Sequence, residues 1–307
     1  MSKVIITTSS FNLESKEIKD IQSAGYEVVL SPYGRRLTED EVKGMLAPDV
    51  VGMIAGVEPL TRDVIEGAQG LKVISRCGIG MDSVDTDAAN DRAITVINTP
   101  DAPTKAVAEL TIGLMLDCLR GVPRQDHSIR KGEWVRPMGG LLSARTIGMV
   151  GYGRIGKTTA KYAAGIGAKI IAYDSYVKED PNGIATFVSM DELYAQADIV
   201  SLHIPYSDDF HHLIDEVAIA KMKDGAIVIN TSRGGLVDED ALAAALKSGK
   251  LSCAALDVYE QEPYKGSLVN VENAVLSAHT GSYAKESRIE QEVLSAINLL
   301  EGLKAKD

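Results

Sequence analysis

Thr146-Ile147-Gly148-Met149-Val150-Gly151-Tyr152-Gly153-Arg154-Ile155-Gly156 joins a β-branched run to a glycine turn and then to a segment of helical spacing that reaches about Ala164. In a strand-turn-helix of this kind each glycine has its own reason. Gly151 makes the tight turn, Gly153 lets a pyrophosphate approach the backbone, and Gly156 lets the helix pack on the strand. The amides of Arg154 and Ile155 open the helix, where free N–H groups and the positive end of the dipole favour an anion. Asp174 ends the next run, 18 residues beyond Gly156 (174 minus 156). A carboxylate there accepts hydrogen bonds from adenosine ribose hydroxyls and repels a 2'-phosphate, which favours NAD over NADP.

The same rhythm extends in both directions. Toward the N-terminus, Val4–Ile6, Tyr26–Leu30, Val50–Ile54, Leu71–Ile74 and Ile94–Ile97 alternate with helix-length segments. Toward the C-terminus it continues through Lys169–Tyr173, Ile199–Leu202, Ala226–Ile229 and Cys253–Leu256. Alternating strands and helices imply parallel sheets covered by helices, and here two such α/β units follow each other. Asn98-Thr99-Pro100-Asp101-Ala102-Pro103 is a proline-rich break that starts a helix from about Thr104 to Leu119. The boundary is placed there. Residues 284–303 have helical spacing at Ile289, Val293, Ile297 and Leu300 and are read as packing back on the first unit. The expected domains are therefore residues 1–99 with 284–307, and residues 100–283, with a cleft available to a ligand.

The helix 104–119 is apolar on nearly every face, so it is read either as a homodimer seam or as a fully enclosed core helix. Val122–Leu142, with Trp134, Pro137 and Gly139-Gly140, shows no period and reads as an arm able to reach a partner subunit.

Composition narrows the function. The chain has 307 residues and a formal net charge of -11, which argues against nucleic acid or an anionic membrane as partner. Cys77, Cys118 and Cys253 are an odd count without metal-ligand spacing, so no disulfide framework and no metal site is indicated, and a reducing cytoplasm is expected. The start Met1-Ser2-Lys3 leads straight into a strand with no signal-peptide pattern. The most apolar segment, Ala106–Leu119, carries Glu109 and Asp117 and is shorter than the roughly 20 residues that span a bilayer.

Three further segments carry the residue types that carbonyl reduction needs: Asn230-Thr231-Ser232-Arg233-Gly234-Gly235-Leu236-Val237-Asp238, Leu256-Asp257-Val258-Tyr259-Glu260-Gln261-Glu262-Pro263 and Ser277-Ala278-His279-Thr280-Gly281-Ser282. Each follows an apolar run, and ligands of open α/β sheets bind beyond the carboxyl ends of the strands. Arg233 offers a planar fork for a carboxylate. His279 titrates near neutrality and suits proton exchange with a carbonyl oxygen. Glu262, in contact with the second ring nitrogen, would fix its tautomer.

With these motifs in order, the chain resembles the D-isomer-specific 2-hydroxyacid dehydrogenase family, on the side of its D-3-phosphoglycerate dehydrogenases. The likeness runs from Arg76-Cys77-Gly78-Ile79-Gly80-Met81-Asp82-Ser83-Val84-Asp85, through Val107-Ala108-Glu109-Leu110, to His279. It implies two doubly wound parallel-sheet domains, a Rossmann nucleotide domain inserted into a flavodoxin-like substrate domain. It implies an NAD-dependent oxidoreductase acting on a small D-2-hydroxy acid, 3-phosphoglycerate among the candidates, with Arg233, Glu262 and His279 as the catalytic trio. It also implies that Asp257 holds the nicotinamide carboxamide, and that Ile79, Ile204, Pro205, Thr231, Ser232 and Gly281 contact the cofactor. Gly78 and Ile79 would meet the substrate carboxylate through backbone amides.

The pattern departs from the family at three points. Where the phosphoglycerate branch places an arginine after the third strand, this chain reads Ile54-Ala55-Gly56-Val57-Glu58-Pro59, with Arg62, Arg136 or Lys105 as substitutes. Phe210 stands where a threonine is common after His203-Ile204-Pro205. The sequence runs to Asp307, and feedback through regulatory domains of the kind some phosphoglycerate enzymes append is not expected. The same fold and trio also occur in NAD-sensing interaction proteins of the corepressor type, a second class that rapid NADH oxidation with a 2-oxo acid distinguishes from the enzyme.

Overall fold

The computed structural model describes residues 1–8 and 11–306. The chain divides into two compact units, Met1–Pro103 with Ala284–Asp307, and Thr104–Tyr283. The first unit extends through Pro103 because Ala102 and Pro103 are buried and the Ala102 carbonyl accepts a hydrogen bond from Ser287 Oγ at 2.9 Å.

In the first unit, β1 (Lys3–Ile6), β2 (Glu27–Leu30), β3 (Val50–Ala55), β4 (Val73–Arg76) and β5 (Thr95–Asn98) form one parallel sheet in the order β2-β1-β3-β4-β5. This is the flavodoxin-like doubly wound order. One face buries Val4, Ile6, Ile54 and Val73 against Leu299 and Leu303 of the helix Lys285–Lys304. The other buries Ile5, Met53 and Ile74 under Val42, Val64, Ile65, Ala88 and Ala89 of three short helices. Apolar demand on both faces explains why these strands read as unbroken β-branched runs. Gly52 gives room where the long helix crosses β3: a Cβ there would lie 3.0 Å from Leu299 Cδ1 and 3.2 Å from Leu303 Cδ1, so those leucines would have to give way slightly. β4 is displaced from the apolar run at 71–74, because its ladder with β3 pairs Gly52 with Val73 and ends at Ala55 with Arg76. A buried arginine thus ends a strand that hydropathy alone terminates too early.

In the second unit, β6 (Thr146–Val150), β7 (Lys169–Tyr173), β8 (Ala185–Phe187), β9 (Ile199–Leu202), β10 (Ala226–Asn230), β11 (Leu251–Leu256) and β12 (Ala274–Leu276) form a parallel sheet in the order β12-β11-β10-β9-β6-β7-β8. From β6 the chain builds outward through β7 and β8, then crosses to β9 and builds the other way. The reversal between β6 and β9 is the topological switch point, and its crevice opens at the carboxyl ends of the strands.

Two expectations change. The helix Thr104–Arg120 packs Leu114, Met115 and Leu119 into its own unit, but Lys105, Glu109, Leu116 and Arg120 are exposed, so it is not enclosed on all sides. The stretch after it is not wholly irregular: Gly121 adopts φ 60°, Pro123 sits in the first turn, and Val122–Arg130 forms a helix. That helix buries only Ser128, which is why it shows no apolar period.

Candidate active site

The glycine turn forms as its sequence requires. Gly151 sits at φ 98°, and a Cβ on it would lie 2.5 Å from the His203 carbonyl oxygen. A Cβ on Gly156 would lie 2.3 Å from the Gly151 carbonyl oxygen, so only glycine lets helix Arg154–Ile166 start this close to β6. At Gly153 a Cβ would meet nothing within 4 Å, and no side chain caps the helix there. Uncapped first-turn amides beneath open space are what a pyrophosphate needs. Ile204 closes the turn from the β9 side, its Cγ2 lying 2.7 Å from the Cβ position of Gly151. The adjoining Pro205 is exposed.

Asp174 follows β7 and is tied to the turn. Its Oδ2 accepts the Tyr152 N–H at 2.7 Å, and its Oδ1 accepts those of Tyr176 and Val177 at 2.8 and 2.9 Å. Partial burial opposes its charge, but these amides and Lys178 more than offset it and hold the carboxyl below its usual range. A carboxylate has about four acceptor positions, so one remains for a ribose hydroxyl. Below the turn, desolvation pushes the His203 pKa down to about 4, and the neutral ring shares a hydrogen bond with Ser201 Oγ at 2.9 Å. These features fit an NAD-type dinucleotide.

The candidate reacting groups sit in the loops after β10, β11 and β12. His279 Nδ1 lies 2.8 Å from Glu262 Oε2 and 3.0 Å from Oε1. The pair is half-open to solvent, with side-chain exposures of 50% and 34%. Glu262 Oε1 also accepts the Tyr259 N–H at 3.2 Å. His279 occupies left-handed backbone at φ 52°, an uncommon conformation for a non-glycine residue.

Asp257 holds the His279 loop in place. Its side chain belongs to a residue only 1% exposed. Oδ1 accepts Ser277 Oγ at 2.6 Å and Thr280 N–H at 2.9 Å, and Oδ2 accepts Gly281 N–H at 2.7 Å. A nicotinamide carboxamide would have to share these oxygens with the loop. The Tyr259 hydroxyl adds a second tie, within hydrogen-bond distance of the Leu256 and Ser277 carbonyls at 3.0 and 2.9 Å. Sequence reading missed Ser277, Thr280 and Tyr259 in this role. They lie within the quoted motifs, but nothing in the sequence pairs them with Asp257.

Arg233 comes from the loop after β10. Asn230 Nδ2 donates to its carbonyl at 2.8 Å, and its own Nη1 donates to the Ser232 carbonyl at 2.7 Å. A Cβ on the next residue, Gly234, would lie 1.9 Å from the Tyr259 carbonyl carbon, so this loop lies directly on the one that carries Glu262. Thr231 Oγ1 is within 3.0 Å of Thr111 Oγ1, and Ser232 Oγ donates to the Leu202 carbonyl at 2.7 Å. Both side chains are engaged within the protein.

In the first unit, Gly78 adopts φ 142° and donates its N–H to Thr99 Oγ1 at 2.8 Å. The Ile79 carbonyl accepts Asn98 Nδ2 at 2.9 Å. The Gly78 amide is therefore not one of the free donors expected from the sequence. Glu58, where a cation was sought, is buried and accepts from Thr7 Oγ1 and from the Gly56 N–H.

A parallel sheet with a glycine-turn dinucleotide cradle at its switch point and a histidine-carboxylate pair at the same edge defines an α/β nicotinamide-dependent oxidoreductase. The family model for the D-isomer specific 2-hydroxyacid dehydrogenase NAD binding domain matches residues 112–281. The chain is 38% identical over 294 residues to a D-3-phosphoglycerate dehydrogenase of Methanocaldococcus jannaschii, covering 94% of this chain and 55% of that one. It is 39% identical over 258 residues to a hydroxypyruvate reductase of Thermotoga maritima, covering 82% and 84%. The crystal structure of the TT0316 protein from Thermus thermophilus superposes with a TM-score of 0.89 at 35% identity, covering 99% of this chain and 97% of that one. This chain belongs to the D-isomer specific 2-hydroxyacid dehydrogenase family, and NAD is its cofactor. It spans little more than half the length of the M. jannaschii relative. No helix among the described residues is long and apolar enough to cross a membrane.

Proposed function

We propose that the chain interconverts a small D-2-hydroxy acid and its 2-oxo acid, with His279 as the proton-exchanging group, Glu262 as its partner and Arg233 as the carboxylate clamp. The observation that carries this reading is the 2.8 Å contact between His279 Nδ1 and Glu262. It orients the ring so that Nε2 is the nitrogen free to exchange a proton with the substrate oxygen. NAD, when bound, supplies or takes the hydride at the substrate carbon. The unit Thr104–Tyr283 is the nucleotide domain, where Gly151, Gly153, Arg154, Ile155 and Gly156 cradle the pyrophosphate and Asp174 the ribose. Ile204, Pro205, Thr231, Ser232, Asp257 and Gly281 line the rest of the cofactor path. The other unit is the substrate domain, where Ile79 and the amides that follow Gly78 receive the carboxylate.

Among 2-oxo acids, glyoxylate and hydroxypyruvate fit better than a phosphorylated acid. Glu58, buried at the carboxyl edge of β3, puts a carboxylate where a phosphate would need a cation. The NAD-sensing alternative finds no support, since the relatives named above are a dehydrogenase and a reductase. The reading further makes the protein a cytoplasmic homodimer joined through helix 104–119 and the arm that follows it. Three free thiols and the exposed Trp134 and Met138, 80% and 99% accessible, support this.

A panel of 2-oxo acids with NADH and NADPH, followed by absorbance, tests the activity. Oxidation of NADH by at least one small 2-oxo acid is expected, and its failure with the whole panel refutes the reading. Sedimentation equilibrium tests the dimer.

A further inference from the structure

One group of metal-ligating side chains lies outside the roles assigned above. His211 and His212 sit between β9 and β10, and Glu260 lies in the loop after β11. Their ligand atoms all fall within 4.8 Å of one another, and among the described residues no other trio of His, Cys, Asp or Glu does so. His212 Nε2 is 2.7 Å and His211 Nδ1 4.0 Å from Glu260 Oε1. Tetrahedral zinc bonds of about 2.0–2.2 Å separate ligand atoms by roughly 3.3 Å. The observed spacings bracket that value, so small side-chain shifts would admit an ion.

The surroundings are arranged as a metal site's are. His212 Nδ1 faces Asp238 Oδ2 at 3.9 Å, beyond hydrogen-bond distance but close enough for a small movement to make it the outer carboxylate to which a ligating imidazole donates. The two imidazole rings stack face to face, their centroids 3.8 Å apart, so one ring must turn before both point a nitrogen at a single ion. The backbone is held too. His212, at φ 53°, donates its N–H to the Gly235 carbonyl at 2.8 Å, and Glu260 donates its N–H to Glu239 Oε1 at 3.1 Å. Two imidazoles and one carboxylate with a position left for water suit zinc and its transition-metal neighbours, whereas Mg²⁺ and Ca²⁺ prefer all-oxygen shells.

We propose that His211, His212 and Glu260 bind one divalent transition-metal ion, Zn²⁺ being the best match, and that the ion ties together the loops after β9 and β11. The sequence alone concealed this, because Glu260 lies 48 residues from His212 (260 minus 212) and the cysteines carry no metal spacing.

The test is calorimetric titration of the chelator-stripped full chain with ZnCl₂, alongside thermal melting. One ion per chain is expected, with no comparable binding of Mg²⁺ and a melting temperature raised by Zn²⁺, since a ligand of the folded state stabilises it. Changing Asp238→Asn should weaken binding by roughly 10–100-fold, the usual cost of losing an outer partner, and Glu260→Gln or His211→Ala by more. His212→Asn removes the remaining ligand without forcing an ill-suited side chain into left-handed backbone, and should weaken binding likewise. His279→Ala separates this site from the His279-Glu262 pair and should leave the binding intact. No binding by the unaltered chain, binding that survives Glu260→Gln and His211→Ala together, or binding lost in His279→Ala would each overturn the proposal.

Discussion

Replacing Asp257 by asparagine tests how the structure holds its histidine. The carboxylate accepts Ser277 Oγ and Thr280 N–H on one oxygen and Gly281 N–H on the other, while almost fully buried. An asparagine presents one oxygen and one NH₂, so at least one of these donors would face another donor. A hydrogen bond to a charged group contributes about 1.5–3 kcal/mol. With the amide oxygen toward Ser277 and Thr280, the loop loses one such bond, at Gly281; the reverse orientation loses two or more. The smaller loss already weakens the anchoring of residues 277–281 by roughly 10–100-fold, at about 1.4 kcal/mol per decade. His279 lies in the middle of that loop at φ 52° and depends on it for position. A displacement of about 1 Å in a reacting group costs on the order of 10²-fold in rate. Asp257→Asn should therefore lower kcat by about 10²-fold, while NADH binding, measured by fluorescence titration, stays close to that of the unaltered protein. Unchanged kcat with weakened NADH binding would refute the argument and assign the carboxylate to the cofactor.

Other outcomes follow from the same geometry. His279→Ala should leave NADH binding nearly intact and cut turnover by roughly 10²–10⁴, the scale of general acid-base catalysis; ordinary turnover in that variant removes His279 from the chemistry. Asp174→Ser should relax the preference for NAD toward NADP, measured as the ratio of kcat/KM values, and an unchanged ratio rules out the ribose contact. Gly153→Ala and Gly156→Ala should separate binding from folding. A methyl at 153 enters the open cradle and weakens NADH binding with little change in Tm, whereas one at 156 meets the Gly151 carbonyl oxygen at 2.3 Å and lowers Tm. At Asp198, burial raises the pKa, but the Thr146 N–H and Lys223 more than reverse this and leave it below the ordinary 3.8. Its stabilisation is complete above that ordinary value and fades as pH falls through the lower folded one. Asp198→Asn should thus lower Tm at neutral pH and converge with the unaltered protein in acid. A Tm deficit that persists at the lowest pH would show that the charge is not responsible.

Among known relatives the chain matches proteins of similar length and longer ones, so length does not assign its substrate. The buried Glu58 is the most direct clue. A phosphorylated 2-oxo acid reduced as readily as glyoxylate or hydroxypyruvate would show that this carboxylate does not discriminate.

Local features of the chain determined a great deal. The β-branched runs bounded by turns are legible because strands buried on both faces admit few polar residues, and the Gly151, Gly153 and Gly156 spacing is legible because each steric demand falls within six consecutive residues. Asp174 could be placed because it ends the strand next in sequence. The Asn98–Pro103 break marked the start of a long helix through proline alone. What required the tertiary structure were relations between residues far apart in the chain. Arg76 belongs to β4 because of a ladder with β3, and helix Val122–Arg130 escaped notice because it buries almost nothing. The commitment of Gly78 to Thr99, the capture of Asp257 by residues 277–281, and the meeting of His211 and His212 with Glu260 leave no periodic trace in sequence. Hydrogen bonds and ion pairs of that kind depend on distances that only the packed sheets set, whereas periodicity and turn chemistry depend on neighbours along the backbone.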